Sequence, residues 1–361
     1  MKRIAYICNG LYNSAGMERV LTTRANSLCN EFDITFITYN QGDRPDHFAL
    51  DKRIHRVDIP ASNDEEYKSL LDEWLKKEKY DITTSTGGAE FFFLHSIKDD
   101  SKKIFEFHFS YDISKVWLSG IRNKYRRWLY IKGQTFKRIW HARKYDRIVT
   151  LCKTDAKKWR RYCKHVSCIY NPLTIQTERY SDCTAKRVIA VGRLHKQKGF
   201  DYLIDAWQLI YQSHPDWTLE IYGEGGLRKV LQTQIDRLGL SEVVLLKGKT
   251  DDIVSKYISS SIFVLSSRDE AFGLVITEAE ACGLPIVTFD CPSAPAELVE
   301  EGVNGYVVPL GDTKGLAEKV MLLIENDEQR RKMGKESVSV ARQFDVEMIA
   351  REWKKLYDKV T

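Results

Sequence analysis

IFVLSSRDEAFGLVITEAEACGLPIVTFD (262–290) decides the architecture. It opens on an apolar run, IFVLSS, crosses a short charged loop, enters a helix-like stretch near Gly273 and returns to a second apolar run, PIVTFD. A strand, a helix and a strand in that order form a parallel pair joined by a crossover. Glu270 falls in the loop and Glu278 about one and a half turns into the helix, at 3.6 residues per turn. Free backbone N–H groups at such a helix start attract anionic oxygen, phosphate above all. Carboxylates beside them accept hydrogen bonds from hydroxyls, so the arrangement suits a ligand bearing both groups. The spacing also fits a plainer reading, in which Glu270 caps the helix and Glu278 is a solvated surface residue.

The same alternation runs through the chain. RIAYIC, DITFIT, RIHRVDI, DITTST, KIFEFHF, DRIVTLC and VSCIY occupy the first half; RVIAVG, TLEIYG, VVLLKG, IFVLSS, PIVTFD and GYVVP restart the pattern in the second. Strand–helix alternation implies parallel sheets flanked by helices, and the restart implies two of them. A chain of 361 residues exceeds the size of a single core, which also favours two domains. The polar segment 171–187, opening on an Asn-Pro turn signal, reads as the linker. The expected domains are 1–172 and 173–344, with a last amphipathic helix (345–361) packing back on the first. A composition of 43% hydrophobic and 29% charged residues is that of a globular protein.

Eight cysteines at 8, 29, 152, 163, 168, 183, 282 and 291 form no C-x-x-C pair and no cluster at zinc spacing. A reducing compartment without a structural metal is the expectation. The start MKRIAYICNG is too short in its apolar part for a signal peptide, and no run approaches the ~20 apolar residues of a membrane span, so a cytoplasmic location is expected. The net charge of +6 hides an asymmetry. Residues 113–170 carry 17 Lys/Arg against Asp146 and Asp155, a local +15, leaving −9 elsewhere. Within it, 121–144 places Ile121, Tyr125, Trp128, Leu129, Phe136, Ile139 and Trp140 on an approximate helical stripe among basic residues. Such a helix suits an anionic membrane surface; alternatively the stripe packs on the first domain and the bases are merely solvated. Nucleic acid is a less favoured partner, since no RNA-binding module accompanies the stretch.

Residues directly after strands are the place to look for ligand contacts in an open α/β sheet. Arg193 and Lys198 follow RVIAVG and could together neutralise a diphosphate, or could be two exposed loop bases. Gly16 lies at or near a helix start, where backbone can approach a ligand. His108 ends a first-half strand, with Glu106 on the same side two residues earlier; an imidazole there could bond a sugar or an acceptor hydroxyl, or be a satisfied core histidine. IYGEGG (221–226) is only a fragment of a dinucleotide fingerprint, so NAD binding is discounted, and no P-loop is present.

Taken together, the chain resembles glycosyltransferase family 4, in the retaining branch of the GT-B superfamily and of the bacterial polysaccharide and glycolipid-assembly type. SAGMER (14–19), the His of EFHFS, VGRLHKQKGF (191–200), IYGEGG, LKGKTDD (246–252), EAFGLVITEAEACGLPIV (270–287) and EGVNGYVVP (301–309) carry the resemblance in order. One departure is Ala15-Gly16 where Gly-Gly is common. The resemblance implies an α/β GT-B fold, two Rossmann-like domains with a central cleft. It implies that Glu270 lies against the donor sugar, Glu278 holds the ribose hydroxyls, and Arg193 and Lys198 grip the diphosphate. Gly16 and the amides of Phe272, Gly273 and Leu274 would complete the phosphate cradle, the backbone of Lys247 and Gly248 would meet the base, and His108 would sit near sugar and acceptor.

The implied reaction transfers a hexosyl or N-acetylhexosaminyl group from a nucleotide-sugar donor, UDP ahead of GDP, to a glycan or lipid-linked glycan acceptor. Configuration would be retained by front-face attack, the leaving phosphate taking the acceptor proton. No cofactor or metal is expected, because the two bases and the helix start offset the diphosphate charge. A peripheral position on the cytoplasmic face of the inner membrane follows from the basic stretch. The alternatives are a UDP-sugar epimerase of the same fold and a non-catalytic basic membrane or RNA adaptor.

Overall fold

In the computed structural model, which describes residues 1–118 and 120–361, every expected strand is present. The first sheet contains β1 (Lys2–Cys8), β2 (Phe32–Thr38), β3 (His55–Asp58), β4 (Ile82–Ser85), β5 (Lys102–Phe107), β6 (Arg147–Thr150) and β7 (Val166–Cys168). The second contains β8 (Arg187–Val191), β9 (Thr218–Tyr222), β10 (Val244–Gly248), β11 (Ile262–Leu265), β12 (Ile286–Asp290) and β13 (Gly305–Pro309). All pairs are parallel, in register such as Ile4 with Ile34 and Val264 with Val287. Helices cover both faces of each sheet, so central strands are buried throughout. Ile4, Ala5, Tyr6, Ile7 and Cys8 are all fully buried, and the strands therefore read as continuous apolar runs rather than alternating ones.

The orders are β3-β2-β1-β4-β5-β6-β7 and β10-β9-β8-β11-β12-β13. In each sheet the chain steps outward from its first strand, then jumps back to that strand's other side. The strand order therefore reverses between β1 and β4 and between β8 and β11, and in open α/β sheets such a switch point, beyond the carboxyl ends of the strands, is where ligands bind. The chain divides into two compact units, Met1–Thr174 with Asp345–Thr361, and Ile175–Phe344.

The helix Val346–Val360 belongs to the first unit. It buries Ile349, Trp353, Leu356 and Tyr357 against Ile4, Tyr6, Leu21 and Phe32. The hydroxyls of Tyr6 and Tyr357 meet at 2.6 Å, and Lys2 pairs with Asp358 at 2.8 Å.

The basic stretch forms the helix Lys124–Ala142, its start capped by Asn123, which accepts from the Arg126 amide at 2.9 Å. Only Arg138 and Ala142 are buried, with Ile139 packed against the core beside them. Tyr125, Trp128, Leu129, Phe136 and Trp140 are exposed, so most of the apolar stripe does not pack on the unit that carries it. The side chains that the helix buries are in its last turns, while Tyr125 and Trp128 of its first turns are exposed and stack on each other, their ring centroids 6.2 Å apart. No helix among the described residues is long and apolar enough to cross a membrane. All eight cysteines are free thiols, and all but Cys168 are buried.

Trp353→Ala should cost the first unit about 3–5 kcal/mol, as expected for removing a fully buried indole. Urea unfolding followed by a probe in residues 1–174 measures it; an unshifted midpoint would contradict the docking of the terminal helix.

Candidate functional site

The second unit brings several of the expected residues to one edge. β8 and β11 are neighbours, so the loop that leaves β8 with Arg193 and Lys198 runs beside the loop that leaves β11 with Glu270. Lys198 ends the short 3₁₀ turn Lys196–Lys198, and Gly199 follows at φ +63°. A Cβ at Gly199 would overlap the carbonyl oxygen of Ser266, so only glycine lets the two loops close. They are then laced together. The Arg268 amide donates to the Gln197 carbonyl at 2.7 Å, the Gln197 side chain to the Asp269 carbonyl at 3.0 Å, and the Ser266 hydroxyl to the Lys198 carbonyl at 3.1 Å. The Arg268 guanidinium forks onto Asp201 at 2.7 and 2.5 Å while lying over the Tyr202 ring at 3.9 Å. Burial would raise the Asp201 carboxyl, but Arg268 holds it below its ordinary value.

This lacing sets Lys198 against Glu270, whose carboxylate accepts from the Lys198 ammonium and from the Ser267 hydroxyl, the latter at 2.8 Å. The backbone of Glu270 bridges to Ser293, a non-glycine residue held at φ +92°, a conformation that costs energy and persists only where its surroundings impose it. Gly273, at φ +93°, is the N-cap of the helix Leu274–Ala281, and no side chain caps it. Glu270 is therefore not the cap. Glu278 is 4% exposed and Glu270 8% exposed, so the reading of Glu278 as a solvated residue also fails. The Tyr257 hydroxyl donates to Glu278 at 3.3 Å. Phe272 is buried edge-on to Phe344 at 5.7 Å, while Leu274 opens the helix half-buried.

Arg193 is exposed in the β8 loop. The glycines of IYGEGG pack that loop from below. A Cβ at Gly223 would overlap the Gly192 carbonyl and one at Gly225 the Leu194 carbonyl, and the Leu194 amide donates to Glu224 at 2.9 Å. The glycine run is thus a packing device that fixes the Arg193 loop. β10 ends next to it, with the carbonyl oxygen of Gly248, at φ +78°, accepting from the Gly223 amide at 2.8 Å and with Lys247 exposed, 3.8 Å from Glu220. An open hollow of about 550 Å³ lies elsewhere, lined by Lys186, His214, Asp216 and Arg331 among others. Each of those side chains already has an ion-pair partner, so the hollow offers no spare charge.

In the first unit, Gly16 is the exposed first residue of the helix Gly16–Leu28, and the Ala15 N-cap supplies no side-chain acceptor. His108 directly follows β5. Its Nε2 is 3.1 Å from Oε1 of Glu106, short but off the line of a hydrogen bond. Glu106 is in turn gripped by Arg24 through two bonds of 2.7 Å. Burial pushes the Glu106 carboxyl up, but Arg24 and then His108 outweigh it and hold it at about 2. Arg24, Ser267, Tyr257 and the Arg268–Asp201 fork are supports that the sequence did not single out. Arg24 sits in mid-helix, 82 residues from its partner, with no local pattern to betray it; Ser267, three residues before Glu270, was the one within reach.

Two family models cover the chain side by side, Glycosyltransferase Family 4 over residues 14–177 and Glycosyl transferases group 1 over 177–339. An uncharacterized glycosyltransferase of Haemophilus influenzae is 30% identical, across 98% of this chain and 99% of the relative. The amylovoran biosynthesis glycosyltransferase AmsD of Erwinia amylovora is 24% identical over the same shares. Among solved structures, a TarM variant of S. aureus, in complex with fondaparinux, alpha-GlcNAc-glycerol and UDP, superposes with a TM-score of 0.81 over 99% of this chain and 100% of that one, at 16% identity. The chain belongs to glycosyltransferase family 4 and has the GT-B fold.

Gly199→Ala and Gly239→Ala both place a side chain at positive φ, but only the former meets backbone. Thermal unfolding should show Gly199→Ala less stable than Gly239→Ala by at least about 2 kcal/mol, the scale of a forced overlap. Equal losses would mean that the Ser266 contact is not a constraint.

Proposed function

We propose that this glycosyltransferase is retaining and moves a hexosyl or N-acetylhexosaminyl group from a nucleoside-diphosphate sugar, a UDP-sugar first, to a hydroxyl of a glycan or lipid-linked glycan. The observation that carries this reading is the Lys198–Glu270 pair at the head of the β8/β11 crevice, beside the uncapped start of Leu274–Ala281 and with Glu278 buried further along that helix. UDP bound to TarM supports the choice of nucleotide.

An arriving diphosphate takes over the Lys198 ammonium, and Arg193 joins it from the exposed β8 loop. The amides of Phe272, Gly273 and Leu274, with the start of the Gly16 helix, add partial positive charge without a metal ion. Relieved of Lys198, Glu270 accepts hydrogen bonds from the sugar, while Glu278 takes the ribose hydroxyls and the backbone at Lys247 and Gly248 meets the base. Lys198 matters most as the glycosidic bond breaks, when charge on the leaving phosphate is greatest. The leaving phosphate takes the acceptor proton, and His108 orients sugar and acceptor.

Acceptors held at a membrane fit the exposed aromatic and basic face of Lys124–Ala142. Each Lys or Arg near anionic lipid contributes about 1 kcal/mol, which supports a peripheral position on the cytoplasmic face of the inner membrane.

Incubation with a panel of UDP- and GDP-sugars and membrane lipid extract, read by mass spectrometry, should show acceptor-dependent release of UDP. A changed sugar without release would instead mark an epimerase, and neither outcome an adaptor. Glu278→Ala should weaken donor binding by about tenfold or more, the scale of a lost charged hydrogen bond, whereas Lys198→Ala should mainly lower kcat. Unchanged kinetics in both would remove this assignment. Sedimentation with phosphatidylglycerol vesicles should retain the wild-type protein and lose Trp128→Ser/Phe136→Ser; equal binding by both would dismiss the aromatic face as a membrane contact.

A further inference from the structure

We propose that Arg24 and Glu106 are positioning residues that, from inside the first unit, fix the orientation and the ring proton of His108, with Trp353 of the terminal helix closing over them. The inference rests on the role given above to His108 and names what holds that residue in place.

The side chains of Arg24 and Glu106 are 2% and 0% exposed. Burying such a pair is a poor route to stability, because well-packed apolar residues of similar volume do as well or better. Its geometry serves another end. Both carboxylate oxygens are engaged by the Arg24 fork at 2.7 Å, so the carboxylate cannot rotate, and Oε1 simultaneously faces His108 Nε2 at 3.1 Å. Arg24 cannot swing away either. Its guanidinium lies 3.9 Å from the Trp353 ring centroid and 4.9 Å from that of Tyr6, and the Tyr6 hydroxyl is tied to Tyr357.

At 3.1 Å from a carboxylate oxygen an Nε2 lone pair is repelled and an Nε2 proton attracted, even off the line of a hydrogen bond, so Nε2 carries the proton. Nδ1 is then left as the acceptor for a hydroxyl of sugar or acceptor. The pair also joins two elements of the proposed site, since Arg24 lies on the helix that begins at Gly16 and Glu106 on the strand that ends beside His108. One buried contact therefore sets the register of the phosphate-facing helix start against the imidazole.

Long-range proton–nitrogen spectra of the histidine-labelled full chain test this directly, with the His108 signal identified by its loss in His108→Gln. The expected result is a single Nε2–H tautomer at neutral and alkaline pH; an Nδ1–H tautomer would overturn the proposal. In kinetics with the donor that the sugar panel identifies and lipid extract as acceptor, Glu106→Gln should lower kcat about tenfold, the scale of one misdirected hydrogen bond, and leave the donor KM within about twofold. Arg24→Lys, which keeps the charge but loses the fork, should fall between Glu106→Gln and wild type. A folded Glu106→Gln with full turnover, beside an impaired His108→Gln, would overturn the positioning role alone. Full turnover in His108→Gln would instead defeat the role given to the histidine, and this inference with it. Should Glu106→Gln not fold, the wild-type spectrum still decides.

Discussion

The carbonyl oxygen of Ser266 lies where a side chain on Gly199 would have to be, and the arrangement of the β8 and β11 loops follows from that contact. Because β8 and β11 are adjacent and parallel, their outgoing loops start side by side. Because residue 199 has no Cβ, those loops can touch, and hydrogen bonds through Gln197, Ser266 and Arg268 lock them. Lys198 and Glu270 meet as a consequence. A buried carboxylate beside an ammonium has its desolvation cost offset before any ligand arrives, and an anionic ligand has only to exchange one partner for another.

The first unit solves a related problem by different means. Its candidate imidazole is steadied not by a neighbouring loop but by a chain of buried polar groups running inward from His108 through Glu106 to Arg24. Aromatic rings of β1 and of the terminal helix enclose that chain. The last residues of the polypeptide are thereby part of the support of a residue near position 108, which gives the return of the terminal helix to the first unit a purpose beyond closing a core.

The helix Lys124–Ala142 departs from the economy of the rest. Trp159, Trp207 and Trp353 are at the heart of the cores. Here aromatic residues are exposed among bases, in a segment whose charge is opposite to that of the remainder of the chain. A helix anchored by its final turns adds a surface without disturbing the core.

The amino-acid sequence by itself determined the strands, the two-sheet plan, the helix start at Gly273 and the identity of the family. These depend on local pattern: continuous apolar runs for strands buried on both faces, glycines and capping residues for turns, and motifs of fixed spacing. It also singled out Lys198 and Glu270, though not that they touch, since 72 residues separate them and only the strand order makes them neighbours. Burial of Glu278, the packing duty of Gly223 and Gly225, the exposure of the aromatic stripe and the Arg24–Glu106–His108 chain were decided by tertiary structure alone. Each depends on which surface another element covers, and a linear pattern with period 2 or 3.6 says which residues share a face but not what lies against it.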